Sequence, residues 1–329
     1  FIQLVSRLKL LAGMDVVERR LAQDGRFKYR FTKGNCEIRA SILPTIYGEK
    51  MVLRILDKST VNLDLSKIGF EKEELDFYRE AIRKPYGLIL ITGPTGSGKT
   101  TTLYGALSEL NDTDKNIVTV EDPVEYKIPG INQVQVKQSI GLDFSRALRS
   151  FLRQDPDVIL VGETRDAETA QICVRAALTG HLVFTTLHTN DAPSAINRLI
   201  DIGVEPFFIS SSILLVVAQR LVRRLCDKCK EAYKPAANLP TRFVMTQDVI
   251  YRAKGCDECS KTGYRGRMAI FEIMRINERI QTLIPQKASM MLIRMEARKA
   301  GMVTLEENGY RKVNAGLTSF EEIVRVTMS

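Results

Sequence analysis

The sequence predicts an α/β protein in which a mostly parallel sheet is preceded by a smaller α+β domain. Between residues 87 and 186, short apolar segments alternate with segments of helical period, which is the pattern of a parallel sheet with crossover helices. Before residue 57, strand-like segments instead follow one another, separated by turn residues. We therefore expect a first domain over residues 1–60, a linker over 61–72 and a second domain over 73–329.

The elements of the first domain follow from its apolar pattern. Apolar residues recur at helical spacing until Gly13, so we expect a helix over residues 1–13. Alternating segments then predict strands over residues 26–31 and 36–42, and an apolar run broken only by Arg54 predicts a third strand over residues 50–56.

The second domain is expected to begin with a helix over about 71–83. Strands are predicted over residues 88–91, 116–120, 158–161 and 182–186, with an extended segment at 134–136. Helices are predicted over residues 103–110, 144–152, 167–178 and 193–224. Short helices over 289–300, 305–314 and 320–327 are expected within a C-terminal region at 280–329.

A glycine-rich segment lies between an apolar strand and a helix. The spacing Gly93-x4-Gly98-Lys99-Thr100 is that of a phosphate-binding loop, whose glycines let backbone N–H groups converge on one point. In such a loop Lys99 reaches the β- and γ-phosphates, and the Thr100 hydroxyl binds magnesium. The expected phosphate-binding residues are Gly93, Pro94, Thr95, Gly96, Ser97, Gly98, Lys99, Thr100 and Thr101.

Acidic residues follow two of the predicted strands. Glu121 begins a turn that holds three carboxylates, which are costly to crowd unless a cation or a water to be activated is nearby; a solvated acidic turn is the alternative. Glu163 follows the fully apolar strand at 158–161, as an acid does beside magnesium in phosphate-loop enzymes. Its spacing leaves open whether it holds the metal through water or orients the attacking water.

His181 and His188 are the only histidines, and they bracket one predicted strand. A single histidine at a strand end is more often structural than catalytic. Here the two histidines flank the strand at 182–186, which follows the strand that ends near Glu163. They could sense a γ-phosphate, because an imidazole can donate a hydrogen bond to the phosphate oxygens.

Four of the six cysteines form two closely spaced pairs. Cys226-x2-Cys229 and Cys256-x2-Cys259 predict a tetrathiolate zinc site, which would staple a loop with little core of its own. Unmetallated thiols are the alternative, and Cys36 and Cys173 are expected to be core residues.

Composition is that of an ordinary globular protein, with 44% hydrophobic and 26% charged residues. The longest apolar run, residues 213–218, is far shorter than the roughly 20 residues that cross a bilayer, and no signal peptide is legible. We expect a cytoplasmic protein. Because the chain begins at Phe1 rather than Met, we also expect it to be part of a longer protein.

Most of the net charge of +9 lies in a basic segment at residues 220–275, which holds 13 Lys and Arg and 6 Asp and Glu. Such an excess can serve an acidic partner, anionic lipid or nucleic acid, or it can be a solvated face.

Together these motifs resemble the secretion ATPase superfamily, specifically the type II secretion and type IV pilus assembly (extension) ATPases. The resemblance covers essentially the whole chain. Its matching stretches are residues 39–45, 48–50, Arg54, the phosphate loop, 121–125, 162–163, 180–190 and the four paired cysteines.

The resemblance implies a RecA-like P-loop ATPase domain preceded by a PAS-like domain, with a tetracysteine zinc-binding insertion. It implies ATP, Mg²⁺ and Zn²⁺ as cofactors and a homo-hexamer as the assembly, without the family's amino-terminal domain in this sequence. The implied partners are an inner-membrane platform protein and a cytoplasmic-face adaptor, at the inner membrane of a bacterium.

The resemblance also implies roles for individual residues. Glu121 would align or deprotonate the attacking water, and Glu163 would lie near magnesium. Arg39 and Arg54 would reach across the linker to the phosphates, of their own subunit or of a neighbour. From the residues alone, Arg39 on a polar strand face and Arg54 in an apolar strand also fit a surface ion pair.

Two functions compete at this point. One is a hexameric ATPase motor for pilus assembly or type II protein secretion; the other is a zinc-bearing nucleic-acid translocase that uses the basic segment. The sequence favours the motor, because residues 220–275 lack regularly spaced aromatic residues and no nucleic-acid-binding module is legible.

Overall fold

The computed structural model describes residues 1–31, 34–57, 63–235, 244, 246 and 248–327. The chain divides into two units, residues 1–62 and residues 63–329. Residues 61 and 62 of the predicted linker and residues 236–243 of the predicted zinc-binding insertion lie outside the described residues.

The first unit contains one helix and one three-stranded antiparallel sheet. The helix α1 (Ile2–Ala12) ends at Gly13, whose φ of 71° lies in the left-handed region that favours glycine. The strands β1 (Gln23–Phe31), β2 (Gly34–Thr45) and β3 (Gly48–Asp57) pair in the order β1-β2-β3. The predicted helix and strands are confirmed, and the strands are longer than predicted.

A small apolar core holds α1 against this sheet. Its buried members are Val5, Ala12, Met14, Ala40 and Ile42. The ammonium of Lys9 is also buried; it is paired with Glu49 and donates to the Glu18 carbonyl at 2.6 Å. A buried cation is tolerated here because it has both a charge partner and a hydrogen-bond acceptor.

The second unit is built on a seven-stranded sheet. Its strands are β4 (Gly87–Thr92), β5 (Ile117–Glu121), β6 (Asn132–Gln135), β7 (Val158–Val161), β8 (Leu182–Leu187), β9 (Ile213–Leu225) and β12 (Tyr264–Arg275). They pair in the order β12-β9-β4-β8-β7-β5-β6, and every neighbouring pair is parallel except β12 with β9. The predicted, mostly parallel sheet is confirmed.

Helices cover both faces of this sheet and bury two apolar clusters against it. Those before β9 are α2 (Lys72–Ile82), α3 (Lys99–Leu110), α4 (Phe144–Phe151), α5 (Ala167–Leu178), α6 (Ala192–Ile202) and α7 (Pro206–Ser212). Those after β12 are α8 (Glu278–Leu283), α9 (Met290–Lys299), α10 (Leu305–Asn314) and α11 (Phe320–Thr327). Among the described residues, no helix is long and apolar enough to span a membrane.

The prediction of helix over residues 193–224 is wrong in its second half. After α6 and α7 the chain enters β9, which lies between β4 and β12 with its apolar residues buried. A continuous apolar run fits a buried strand as well as a buried helix, and the tertiary neighbours decide between them. The strand β12, which pairs with β9, and the helix α8 were not predicted.

Two short strands lie between β9 and β12 in the chain. They are β10 (Glu231–Tyr233) and β11 (Ile250–Arg252), which form an antiparallel pair. The chain leaves and re-enters the large sheet beside the four paired cysteines.

Candidate active site

The phosphate-loop sequence adopts a turn that requires its glycines. It follows β4, with φ values of 149° at Gly93, 80° at Gly96 and 91° at Gly98, and α3 begins at Lys99. A Cβ atom at Gly93 would lie 2.5 Å from the Gln219 carbonyl oxygen, and one at Gly98 would lie 2.8 Å from Gln219 Nε2. Positive φ and close neighbours therefore both exclude larger residues at Gly93 and Gly98.

The predicted phosphate-binding residues occupy one continuous turn and the first turn of α3. Pro94, Thr95 and Gly96 form its exposed tip, whereas Ser97 is buried. Gly98, Lys99, Thr100 and Thr101 are half-buried. The twelve-residue helix α3 thus directs its N-terminus, with unpaired N–H groups, at the edge of the sheet.

The Lys99 ammonium folds back over the loop. It donates to the carbonyl oxygens of Gly93 at 2.7 Å and Pro94 at 3.1 Å. Burial lowers the pKa of Lys99 to about 8; the Glu163 carboxylate opposes this shift and the Arg220 cation adds to it. A buried cation whose nearest acceptors are neutral carbonyls is well suited to bind an anion.

Glu163 lies two residues beyond β7 at the same edge of the sheet. Its carboxylate is 2.7 Å from the Arg165 guanidinium and 3.6 Å from His188 Nε2. The side chain is 15% exposed, and its charge acts on Lys99. The structure thus brings together an acid, an imidazole and the loop lysine.

Glu121 is the last residue of β5 and points into the protein. It is 4% exposed, and its carboxylate accepts hydrogen bonds from Tyr104, from Thr119 Oγ1 at 2.6 Å and from Gln133 Nε2 at 3.3 Å. Burial raises the pKa of Glu121, and these donors act in the opposite direction. Of the three carboxylates predicted to crowd together, Asp122 is exposed, whereas the charge of Glu125 acts on Glu121 and also raises its pKa.

The two histidines lie at opposite ends of β8. His188 follows the strand beside Glu163, whereas His181 precedes it, and its Nδ1 lies 3.0 Å from the Ala176 carbonyl oxygen. Since six strand residues span about 20 Å, His181 lies far from the phosphate loop of its own chain. The structure brings only His188 to the site.

Threonine hydroxyls tie the strand ends around the loop to one another. Thr92, at the end of β4, accepts a hydrogen bond from the Thr189 amide at 2.8 Å. Thr186 Oγ1 donates to the Gly162 carbonyl oxygen at 2.7 Å. Hydrogen bonds therefore connect the phosphate loop to the segments that follow β7 and β8, which carry Glu163 and His188.

Two residues of β9 that were not predicted from the sequence also reach this edge. In the parallel pairing of β4 with β9, Thr92 lies opposite Ala218, so Gln219 and Arg220 lie level with the start of the phosphate loop. The only sequence signal for Gln219 and Arg220 was that these polar residues directly follow the apolar run at 213–218. The erroneous helix prediction concealed it.

The four paired cysteines converge on one point at the ends of β9 and β12. All four sulfur atoms lie within 4.8 Å of one another, with separations of 3.9 Å for Cys226–Cys256, 3.8 Å for Cys229–Cys259 and 3.7 Å for Cys256–Cys259. A tetrahedral site with metal–sulfur bonds of about 2.3 Å has sulfur–sulfur edges of about 3.8 Å. The Cys256 and Gly263 amides donate to Cys259 Sγ at 3.1 Å and 3.2 Å, as expected for a thiolate ligand.

Arg39 and Arg54 are direct neighbours across β2 and β3 of the first unit. On the other side of Arg39, Arg26 of β1 is its partner in register, so three arginines form one row across the sheet. Like charges opposite one another destabilise a sheet unless anions compensate them. Arg26 is exposed and Arg39 is half-buried. Arg26 was not predicted from the sequence, because its position in the row depends on the register of the strands.

The charges of the basic segment are mostly paired within the protein. Of its twelve described cations, eight lie within 4.0 Å of a carboxylate: Arg223, Arg224, Lys228, Lys230, Arg252, Lys261, Arg265 and Arg275. Most of the described cations of the segment therefore have a carboxylate neighbour within the protein.

Comparison with known proteins gives consistent matches over the whole chain. Residues 1–325 match the family described as "Type II/IV secretion system protein". The type IV pilus assembly ATPase PilB of Myxococcus xanthus is 51% identical, with 98% of this chain and 58% of that protein covered. The type II secretion system ATPase E of Vibrio cholerae is 48% identical, with 98% and 65% covered. The chain thus spans about three-fifths of the length of these relatives.

Solved structures show the same α/β fold. The pilus retraction motor PilT with bound ADP is 29% identical with a TM-score of 0.67, and 93% of this chain and 77% of that chain are covered. The DotB ATPase of Legionella pneumophila is 24% identical with a TM-score of 0.67, and 92% and 76% are covered. The match over residues 1–325 and the identity to both relatives confirm the family that the motifs resemble, so the chain belongs to the type II/IV secretion system protein family.

Proposed function

We propose that this chain binds Mg·ATP at the phosphate loop and hydrolyses it. The observation that carries the proposal is the half-buried Lys99, held over a glycine turn at the N-terminus of α3 with Glu163 beside it. Mg²⁺, held through the Thr100 hydroxyl, would supply charge neutralisation at the phosphates. ADP bound to PilT, a structure of the same fold, supports a nucleotide as the ligand.

The two acids at this edge have different roles in the proposal. Glu163 is on the magnesium side, because its charge acts on Lys99 and it lies beside His188. Glu121 aligns or deprotonates the attacking water. Its raised pKa favours proton acceptance, and its three donors leave about one of four lone-pair sites for water. His188 can donate to a phosphate oxygen, whereas His181 is not proposed for the site of its own chain.

The first unit is proposed to be a PAS-like domain that takes part in hydrolysis through Arg39 and Arg54. Its helix and three-stranded sheet present these arginines as neighbours within a row of three cations. A bound phosphate group would be attracted to this row of cations. The second unit is correspondingly proposed to be a RecA-like ATPase domain.

The tetracysteine cluster is proposed to hold one structural Zn²⁺. Four sulfur ligands leave no coordination position open for catalysis, and the separations between the sulfur atoms fit zinc bonded to four thiolates. The metal would fix the ends of β9 and β12.

The assembly is proposed to be a hexameric motor in the cytoplasm, peripheral to the inner membrane of a bacterium. It would drive type IV pilus assembly or type II secretion through an inner-membrane platform protein and a cytoplasmic-face adaptor, as the names of the PilB and ATPase E relatives suggest. The identity to one pilus ATPase and one secretion ATPase is similar, so both machines remain in the proposal.

A zinc-bearing nucleic-acid translocase is less well supported, because most described cations of the basic segment are paired. The experiment is an ATP hydrolysis assay with Mg²⁺, repeated with DNA and with vesicles of anionic lipid. We expect Mg-dependent hydrolysis that DNA does not stimulate. Stimulation by DNA alone would favour the translocase, and an absence of hydrolysis under all conditions would contradict the motor.

A further inference from the structure

Gln219 carries a donor for which no partner is found among the described residues. The residue is fully buried, and its Oε1 accepts a hydrogen bond from Thr102 Oγ1 of α3 at 2.9 Å. Its Nε2 is buried without a hydrogen-bond partner and faces the phosphate loop, 2.8 Å from where a Cβ atom at Gly98 would lie. Buried donors are nearly always paired, so this one points to a group that the loop binds.

Ser97 of the loop itself shows the same feature. Its Oγ is buried without a partner among the described residues and lies 2.7 Å from the Cβ position of Gly93. Two of the three buried side-chain polar atoms that lack partners in the described chain thus border one turn. An anion with several oxygen atoms would satisfy both.

Arg220 brings a buried cation to the same turn. It is 9% exposed, and one of its nitrogens, Nη1, lies 3.2 Å from the Cβ position of Gly93. Its hydrogen bonds go to neutral acceptors: the Gln219 carbonyl at 3.2 Å, the Asn190 carbonyl at 3.2 Å and Asn190 Oδ1 at 3.1 Å. Among the described residues, no carboxylate lies within 4.0 Å of its guanidinium, and the charges of Glu272 and Asp191 reach it only from farther away.

Two cations therefore lie at one loop, the half-buried Lys99 and the buried Arg220, and neither has a carboxylate within 4.0 Å among the described residues. Burial of an unpaired charge is unfavourable, and the repulsion between the two cations adds to the cost. A polyphosphate would relieve both effects at once.

We propose that Gln219 and Arg220 form a second wall of the phosphate site, in which Gln219 Nε2 and the Arg220 guanidinium donate to oxygens of the bound phosphates. This inference rests on the proposed function. Because Arg220 also holds Asn190, two residues beyond His188, phosphate binding would be linked to the position of the loop after β8.

The first test distinguishes the effect of the Gln219 Nε2 donor from the effect of the hydrogen bond that Gln219 Oε1 accepts from Thr102 of α3. Gln219→Met removes both, whereas Thr102→Val removes only the hydrogen bond to α3. We expect Gln219→Met to raise the Kd for Mg·ATP about fivefold or more and Thr102→Val to raise it about twofold or less. Equilibrium dialysis of the full chain measures the affinity, and thermal melting shows whether each variant is folded.

The second test compares Arg220, which has no carboxylate within 4.0 Å in the described part of the chain, with Arg294, a nearby arginine that is paired with one. Arg294 lines the same cavity of about 650 Å³ as Arg220, but its guanidinium is 2.7 Å from Asp191. We expect Arg220→Met to weaken Mg·ATP binding about tenfold or more, Arg220→Lys to restore part of the loss, and Arg294→Met to change the affinity by about twofold or less.

The outcomes distinguish this inference from the proposed function. If the wild-type protein does not bind Mg·ATP, the proposed function fails, and the inference fails with it. If the wild type binds, but Gln219→Met matches Thr102→Val and Arg220→Met matches Arg294→Met, only the second wall is overturned. Should Arg220→Met not fold, the comparison of Gln219→Met with Thr102→Val decides.

Discussion

Glu121 and Glu163 both follow strands at the same edge of the sheet, yet their surroundings differ. The Glu121 carboxylate is enclosed by three neutral donors, and burial raises its pKa. The Glu163 carboxylate lies among cationic and imidazole groups. The buried environment of Glu121 favours proton transfer there.

Glu121→Gln and Glu163→Gln should each retain binding of Mg·ATP but hydrolyse it about a hundredfold or more slowly, because each loses a charged carboxylate needed at the reacting phosphate. Binding is measured by equilibrium dialysis and hydrolysis by phosphate release. Asp122→Asn, which changes an exposed acid next to Glu121, is the control and should leave both unaffected. Loss of nucleotide binding in either variant would show that the residue is structural instead.

Lys99 should take up protons when Mg·ATP binds near pH 8. Burial holds its pKa at about 8 in the free protein, and adjacent phosphates favour the charged form, so its pKa is higher in the complex. Calorimetry in buffers of different ionisation enthalpy should show uptake of roughly half a proton at about pH 8, with more uptake at higher pH than at lower pH around that value. Proton release, or uptake that falls as pH rises, would contradict this account.

The local motifs of the site could be predicted from sequence, whereas its second wall could not. The phosphate loop is specified by residues 93–100 alone, because its turn depends on glycines and a following helix. Gln219 and Arg220 reach the loop only because β9 pairs with β4 from more than a hundred residues away. An apolar run does not reveal which strand it will pair with, and here it was predicted as a helix.

The strand β9 connects the phosphate loop of the second unit to its tetracysteine cluster. Its middle passes the phosphate loop, and Cys226 follows its last residue, Leu225. A metal bound by the tetracysteine cluster would therefore fix the end of the strand that carries Gln219 and Arg220. Its four ligands were predictable, because their spacing is local and distinctive.

Purified protein should contain about one zinc ion per chain without added zinc, because the four thiols already lie within 4.8 Å of one another. Chelation should lower the melting temperature, since metal binding is coupled to folding of the segment between the cysteine pairs. Metal analysis and thermal melting measure these effects, with Cys173→Ser as the control thiol outside the cluster. A zinc content well under one equivalent in the wild-type protein would exclude the structural zinc.

The two units are proposed to act together through the arginine row of the first. Its sheet could be predicted from alternation, but the alignment of Arg26, Arg39 and Arg54 depends on a register that only pairing defines. Three aligned cations are compatible with an anion-binding role, and a surface ion pair is the alternative for Arg39 and Arg54.

Arg39→Ala and Arg54→Ala should each lower ATP turnover about tenfold or more while leaving the melting temperature nearly unchanged, because their charges would act on phosphates rather than on the fold. Steady-state phosphate release and thermal melting are the measurements. Lys50→Ala, four residues from Arg54 on the same strand, is the matched control. Near-normal turnover in both arginine variants would leave only the ion-pair role.

Phosphate release from ATP by the purified protein tests the central proposal most directly, with the wild type and Lys99→Ala compared in the presence and absence of Mg²⁺. We predict hydrolysis by the wild type that requires Mg²⁺, and none by Lys99→Ala, at equal melting temperatures. Hydrolysis by Lys99→Ala at the wild-type rate would contradict the assignment of the phosphate loop as the active site.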